Sequence, residues 1–236
     1  MFNIKIAGFV ICIDNKYDYI EKQCIKYITK ETKIDFLASC TREEMEEERA
    51  KSEEIYSDGY IESICIYRRI CLYIPKKGAF ILHSAIIDVD GKAYAFLAKS
   101  GVGKSTHIRL WKQYLGDKVT IVNGDKPIIR LENGKFYAYG TPWSGKENWD
   151  SNVKSELRSL CFLERSKENR IEKVDEKQAL VKITKQILMP ADREDLISTL
   201  DLVDKLLQKC NLFILGCNIS VDAAVLAYRE MSKEIS

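Results

Sequence analysis

Histidine is nearly absent from this chain of 236 residues: there are two, at positions 83 and 107, and only four prolines. Eight cysteines are present, but no two of them form a C-x-x-C pair. Together these absences exclude the usual zinc frameworks and predict reduced, largely buried thiols, as in Ile64-Cys65-Ile66 and Leu160-Cys161-Phe162. No apolar run approaches the roughly 20 residues that span a bilayer. The run from Ile6 to Ile13 has one charge before it, Lys5, and Asp14 directly after it, so a strand is expected there and not a leader. The two charge signs nearly balance, with 37 Lys and Arg against 35 Asp and Glu. Such a balance gives no bulk field for nucleic acid or an anionic membrane. The expectation is a cytoplasmic globular protein, 46% hydrophobic and so able to bury a real core.

What the chain does have is a glycine-rich turn between an apolar run and an amphipathic one, at Tyr94 to Trp111. Within it, Ala98-x-x-x-x-Gly103-Lys104-Ser105 fits the phosphate-binding loop pattern, with Ala in place of the first glycine. Gly101 and Gly103 permit backbone conformations and close approaches that a Cβ would block. Ser100, Gly101, Val102, Gly103, Lys104, Ser105 and Thr106 would then cradle nucleotide phosphates with their amides, helped by the positive end of the following helix. In this reading Lys104 reaches the β- and γ-phosphates, and the Ser105 hydroxyl is a ligand of Mg²⁺.

Upstream, residues 3–13 are expected as one strand and 17–28 as a helix. Between them Asn15-Lys16-Tyr17-Asp18 matches the N-K-x-D motif that reads guanine. Placed before the phosphate loop, it suits only a circularly permuted GTPase, whose D-x-x-G should follow the loop; the match at Asp88 to Gly91 precedes it. Residues 41–54 are mixed but acidic and suggest a solvated helix or connector. They mark the seam between a small N-terminal α+β region, 1–78, and a main domain, 79–236. Residues 60–74 fit strand or helix. Residues 80–88 are expected as a strand, turning at Asp90-Gly91 into a second strand, 92–97, that feeds the glycine loop.

After the loop, a helix over 104–115 closes at Gly116. The next apolar strand, 118–123, ends in Gly124-Asp125-Lys126-Pro127. An acid at the end of such a strand is the usual second metal or base position. A hairpin turning at Asn133-Gly134 follows, then a loop from Tyr139 to Trp149 with two tryptophans. The indoles either cover a core edge or wall a ligand site. Lys146 and Glu147 are the charged candidates there, for a phosphate contact and a metal-linked carboxylate. The remainder is expected as a strand over 157–164, helices over 176–189 and 192–210, a strand over 211–217, and a last helix from Ser220 to about Glu234.

The order strand, turn, strand, glycine loop, helix, strand, acid resembles the HPr kinase/phosphorylase family, whose core is shared with ATP-type phosphoenolpyruvate carboxykinases. Leu82-His83-Ser84-Ala85, Ser100 to Ser105 and Val122-Asn123-Gly124-Asp125 carry the resemblance, over roughly residues 79–150. It implies an α/β fold with the P-loop kinase core of that type: a mixed sheet, flanking helices and a small N-terminal α+β part. It also implies ATP- and Mg²⁺-dependent transfer to a serine-type hydroxyl on a protein, peptide or small molecule, with Lys104 catalytic. Asp125 is then the proton acceptor or a metal ligand, and His83 the group that orients it. His107 is left structural. A homo-oligomer is compatible with the resemblance.

Two features depart from the family. It carries two adjacent aspartates where this chain has Gly124-Asp125, so Asp125 combines both duties, Glu147 substitutes, or transfer is slow or lost. The family's carboxylate-arginine-glycine signature is not evident, and the loop from Tyr139 to Trp149 occupies its place. No arginine-rich oxaloacetate site accompanies the motifs, so the carboxykinase reaction is not expected. Two other readings stay open beside the kinase: a non-catalytic ATP-binding sensor or accessory subunit, and a GTPase-type switch through Asn15 to Asp18.

Overall fold

A computed structural model describes residues 1–52 and 54–233. The chain divides into two units, Met1–Lys77 and Gly78–Ser236.

In the first unit the opening apolar run folds back on itself. Strands β1 (Phe2–Ile6) and β2 (Phe9–Asp14) pair antiparallel through Ala7 and Gly8, whose φ angles are +48° and +78°. The single strand expected over 3–13 is therefore a hairpin. Alanine seldom takes the left-handed conformation, so the turn carries no conventional signal. Helix α1 (Asp18–Gln23) stops short of the expected length and gives way to a 3-10 turn over Ile25–Tyr27. β3 (Phe36–Ser39) pairs parallel to β2. The acidic run becomes α2 (Arg42–Ala50), started by a capping box in which Thr41 and Glu44 satisfy each other's backbone amides. The ambiguous stretch after it is helical, as α3 (Asp58–Tyr73). Its fully buried Glu62 accepts hydrogen bonds from the amides of Lys16 and Tyr17, at 2.6 and 3.1 Å. Within this unit Asn15 to Asp18 is thus a strand-to-helix turn anchored on a buried carboxylate, with Asp18 exposed in the first turn of α1.

The second unit is built on a nine-stranded mixed sheet. In chain order its strands are β4 (Ala79–Ile81), β5 (Ala85–Val89), β6 (Lys92–Leu97), β7 (Val119–Asn123), β8 (Ile128–Glu132), β9 (Lys135–Tyr139), β10 (Lys154–Arg165), β11 (Arg170–Lys173) and β12 (Asn211–Cys217). Across the sheet the order is β4-β8-β9-β10-β6-β5-β7, with β12 on β10 and β11 on β12. β10 runs parallel to β6 and β12; the other pairs are antiparallel. Helices cover both faces. Tyr94 and Phe96 of β6 face Ile108 and Trp111 of α4 (Lys104–Leu115) and the alanines of α7 (Val221–Met231). The alternate residues Ala93 and Ala95 face the core closed by α5 (Glu176–Ile183) and α6 (Arg193–Lys209). The second unit is a mixed α/β fold with flanking helices.

Four differences from the expected elements stand out. The strand expected over 80–88 is interrupted at Leu82 to Ser84, because β4 pairs with β8 while β5 pairs with β6 and β7. The helix expected over 176–189 ends at Ile183 and passes into a 3-10 turn over Thr184–Gln186. β11 had no sequence signal, as three of its four residues are charged. The last helix ends at Met231, and the expected end near Glu234 lies outside the described residues. All eight cysteines are free thiols, seven of them buried. Among the described residues no helix is long and apolar enough to cross a membrane.

The helix after the glycine loop is fixed by a polar contact inside its apolar face. Trp111 Nε1 donates to His107 Nε2 at 3.0 Å, and the His107 ring stands edge-on to Phe96 at 4.7 Å. His107 is 2% exposed, and burial pushes its imidazole from 6.5 down to about 4. A buried imidazole that resists protonation leaves the unfolded chain to take up the proton first, so stability falls as pH drops from the unfolded to the folded value. Between pH 7 and pH 5 urea unfolding should show a loss of about 2 kcal/mol from this residue. In His107→Gln, whose amide oxygen still accepts from Trp111, that portion of the pH dependence should vanish.

Candidate active site

Strand β6, a glycine loop and helix α4 follow one another without interruption. Gly101 and Gly103 have φ angles of +78° and +128°, and a Cβ added at Gly101 would meet nothing within 4 Å. The loop therefore needs glycine for its backbone and leaves space beside it. Gly103 offers the N-terminus of α4 no side-chain cap, in contrast to Thr41, Ser57, Asp175 and Asp192 at the starts of α2, α3, α5 and α6. The unpaired amides of that first helical turn are free to meet an anion. From the end of β10, Arg165 donates to the carbonyls of Gly101 and Val102, at 2.5 and 3.4 Å, and holds the outer side of the loop.

Lys104 is 9% exposed and folds back onto the loop, donating to the Ala98 carbonyl at 3.0 Å. Its ammonium also lies 3.1 Å from His83 Nε2, and the same ring nitrogen lies 3.0 Å from Asp125 Oδ1. Lys126 approaches the other carboxylate oxygen at 3.3 Å. Burial pushes the Lys104 ammonium below its usual range, with the Asp125 charge opposing and Lys126 adding to the shift. Burial alone would raise the Asp125 carboxyl, but the His83 hydrogen bond and the Lys126 charge outweigh it and hold the group below its ordinary value. Asp125 is thus a carboxylate at neutral pH, between an imidazole and an ammonium. His83 Nε2 serves one neighbour at a time: protonated, it donates to Asp125, and bare, it accepts from Lys104.

The interruption between β4 and β5 is what brings His83 here. Leu82 and Ser84 donate their amides to the carbonyls of Pro127 and Asp125, at 3.1 and 3.0 Å, and the His83 amide donates to Gln186 at 2.7 Å. The Asp125 turn is itself held by Asn123, which is fully buried. Asn123 Oδ1 accepts from the amides of Asp125 and Lys126 at 2.8 and 2.7 Å, while its Nδ2 donates to the Thr141 carbonyl at 2.8 Å. Thr141 closes the ring by donating to the Lys126 carbonyl at 2.7 Å.

Residues 140–151 form a strap over this turn. Gly124 donates to the Trp149 carbonyl at 2.8 Å, and Ser151 to that of Val122 at 3.1 Å. A Cβ at Gly124 would lie 2.9 Å from the Ser144 carbonyl oxygen, and one at Gly145 would lie 3.1 Å from Asp125 Cβ. Gly140 is tighter still, with the Ser151 oxygen 1.8 Å from its would-be Cβ. Glu147, singled out as a metal-linked carboxylate, accepts from Arg109 at 2.7 Å, one helical turn along α4 from Ser105. Arg109 also lies over the Trp149 ring at 5.1 Å. Trp143 is buried, Trp149 half-buried, and Lys146 exposed. Among the described residues no three His, Cys, Asp or Glu side chains cluster around a metal-sized site.

Sequence reasoning assigned no role of their own to Asn123, Lys126 and Arg165. Asn-x-Asp at a strand end is an Asx-turn signal that would have found the first. Arg165 lies 60 or more residues along the chain from the loop it braces, so only the fold reveals it. The approach of the strap gives a direct test. Gly124→Asp, which supplies a second acid, should lower stability by about 1–3 kcal/mol because the Ser144 carbonyl must move, as a thermal melt would record.

No protein-family model matches the chain, and no curated protein matches it in sequence. Among solved structures it aligns with the Hpr(Ser) kinase/phosphatase from Coxiella burnetii over 65% of this chain and 99% of that one, at 10% identity and a TM-score of 0.34. The relationship is structural and distant, and at that level it carries no functional inference for this chain.

Proposed function

We propose that the chain is a Mg-ATP-dependent phosphotransferase that moves the γ-phosphate to a serine-type hydroxyl on a protein, a peptide or a small molecule. One observation carries this reading: Lys104, His83 and Asp125 meet within 3.1 Å at the head of a glycine-capped, otherwise uncapped helix. A phosphate-binding lysine and a carboxylate base are the two groups that phosphoryl transfer to a hydroxyl requires from a protein.

Lys104 now bonds to the loop's own carbonyl, so nucleotide binding would exchange that bond for one to phosphate oxygens. Its departure frees His83 Nε2 to donate to Asp125 and to hold the carboxylate in place. Asp125 then accepts the proton of the acceptor hydroxyl on its second oxygen, which now faces Lys126. Because the carboxyl is held below its ordinary pKa, it stays an acceptor throughout the neutral range. Ser105 and Asp125 are the residues that would hold Mg²⁺ together with the nucleotide's own phosphates, an arrangement that needs no protein-only cage. When bound, the ion would neutralise charge on the phosphate oxygens. Gly124 favours one second reading, an ATP-binding sensor or accessory subunit in which transfer has been lost.

ADP release from Mg-ATP, measured with filtered cell extract as the acceptor pool and again with the filtrate restored, distinguishes the two. The kinase reading expects acceptor-dependent turnover that falls by about 10²–10⁴ in Asp125→Asn, with ATP affinity retained. Lys104→Ala should weaken ATP binding itself. Tight ATP binding with no turnover under either acceptor condition would overturn the kinase and leave the sensor.

A further inference from the structure

Lys126 follows Asp125 directly, and its backbone is held at both polar groups. The amide donates to Asn123 Oδ1 at 2.7 Å, and the carbonyl accepts from the Thr141 hydroxyl at 2.7 Å. Pro127 comes next and disfavours helical backbone at Lys126. The Pro127 carbonyl in turn accepts from the Leu82 amide at 3.1 Å. The strap and the segment carrying His83 thus both close on this short piece of chain.

The side chain is less constrained than the backbone. Its ammonium meets Asp125 Oδ2 at 3.3 Å, and the two side chains remain 24% and 27% exposed. Among the described residues that ammonium has no other ion-pair partner, which leaves donors for a ligand. Lys104 differs on both counts, being buried and already bonded to the Ala98 carbonyl and His83. The oxygen that Lys126 touches is the one His83 leaves open, since the imidazole approaches Oδ1. An ammonium therefore stands where Asp125 can receive a hydroxyl proton.

We propose that Lys126 is a catalytic residue of the phosphoryl transfer, donating to the phosphoryl group while it is in flight. This role rests on the phosphotransferase reading. In the step, the acceptor O–H bond breaks and its proton goes to Asp125 Oδ2. The freed lone pair bonds to the γ-phosphorus, and the bond to the β,γ-bridging oxygen breaks to release ADP. As the proton arrives, Asp125 loses its charge and its hold on Lys126. The ammonium is left without a counter-charge beside the phosphoryl oxygens, and Gly124 brings no second carboxylate to hold it back. Its attraction to those oxygens grows as the reaction proceeds. An interaction that strengthens in the transition state raises the rate and not merely the affinity.

Calorimetry on the full chain tests this without an identified acceptor. The probes are Mg-ADP alone and Mg-ADP with aluminium fluoride, an analogue of the phosphoryl group in flight. The unaltered protein should bind ADP more tightly when aluminium fluoride is present. Lys126→Met should lose about tenfold or more of that gain with Mg-ADP affinity unchanged, while Lys126→Arg keeps most of it. Mg-ADP affinity also shows that each variant is folded, and Lys126→Gln serves in place of Lys126→Met if that variant is not. A gain that the neutral variants retain would overturn the role of Lys126 and leave the kinase standing. An unaltered protein that binds Mg-ADP but gains nothing from aluminium fluoride would overturn the transfer itself, and this role with it.

Discussion

The candidate site depends first on one buried amide. Asn123 ends β7 with no exposure to solvent, and its side chain serves both sides of a junction. Its oxygen collects the amides of Asp125 and Lys126, and its nitrogen holds the Thr141 carbonyl. A fully buried polar group is tolerated because every one of these bonds is made, and the same low dielectric makes each expensive to lose. Through this residue the Asp125 turn and the strap over it become a single object. The segment carrying His83 is then docked on that turn by two backbone bonds, so the imidazole and the carboxylate are set by backbone geometry and not by side-chain choice alone.

Electrostatics within this frame are unresolved until something negative arrives. Lys104 and Asp125 compete for one imidazole nitrogen of His83, and Lys126 approaches the far oxygen of the same carboxylate. In this state the ammonium of Lys104 is desolvated, and among the described residues its partners are the Ala98 carbonyl and the ring. A buried cation with poor partners binds an anion more readily than a solvated one, because the desolvation has been borne in folding. The uncapped helix end points the same way.

Features governed by local backbone chemistry were legible in the sequence. The turns at Asp90-Gly91 and Asn133-Gly134 have positive φ at both residues, as those pairs favour, and the glycine loop occupies its expected place between strand and helix. The mixed sheet with flanking helices was likewise within reach of periodicity and resemblance. Features set by distant partners were not legible. Ala7 turns a hairpin without a conventional turn residue, and Leu82 to Ser84 breaks a run that looks continuous. Glu62 gives the Asn15 to Asp18 turn its structural anchor from 45 or more residues away. His83 and Asp125 were given roles from sequence; the local Asx turn of Asn123 was readable in its spacing, but its bond to Thr141, 18 residues on, was not.

The packing of the strap on Gly124 also bears on how such a site can change over time. The position has no room for a side chain because a carbonyl of the strap lies against it, and the strap lies there through glycines at 140 and 145 that are themselves crowded. An acid at 124 therefore needs the strap to shift, and a chain passing between the two arrangements would do so most readily by changing both segments. Whichever came first would be unfavourable alone. The residue at 124 is in that sense coupled to the strap by backbone contacts as well as to the chemistry beside it.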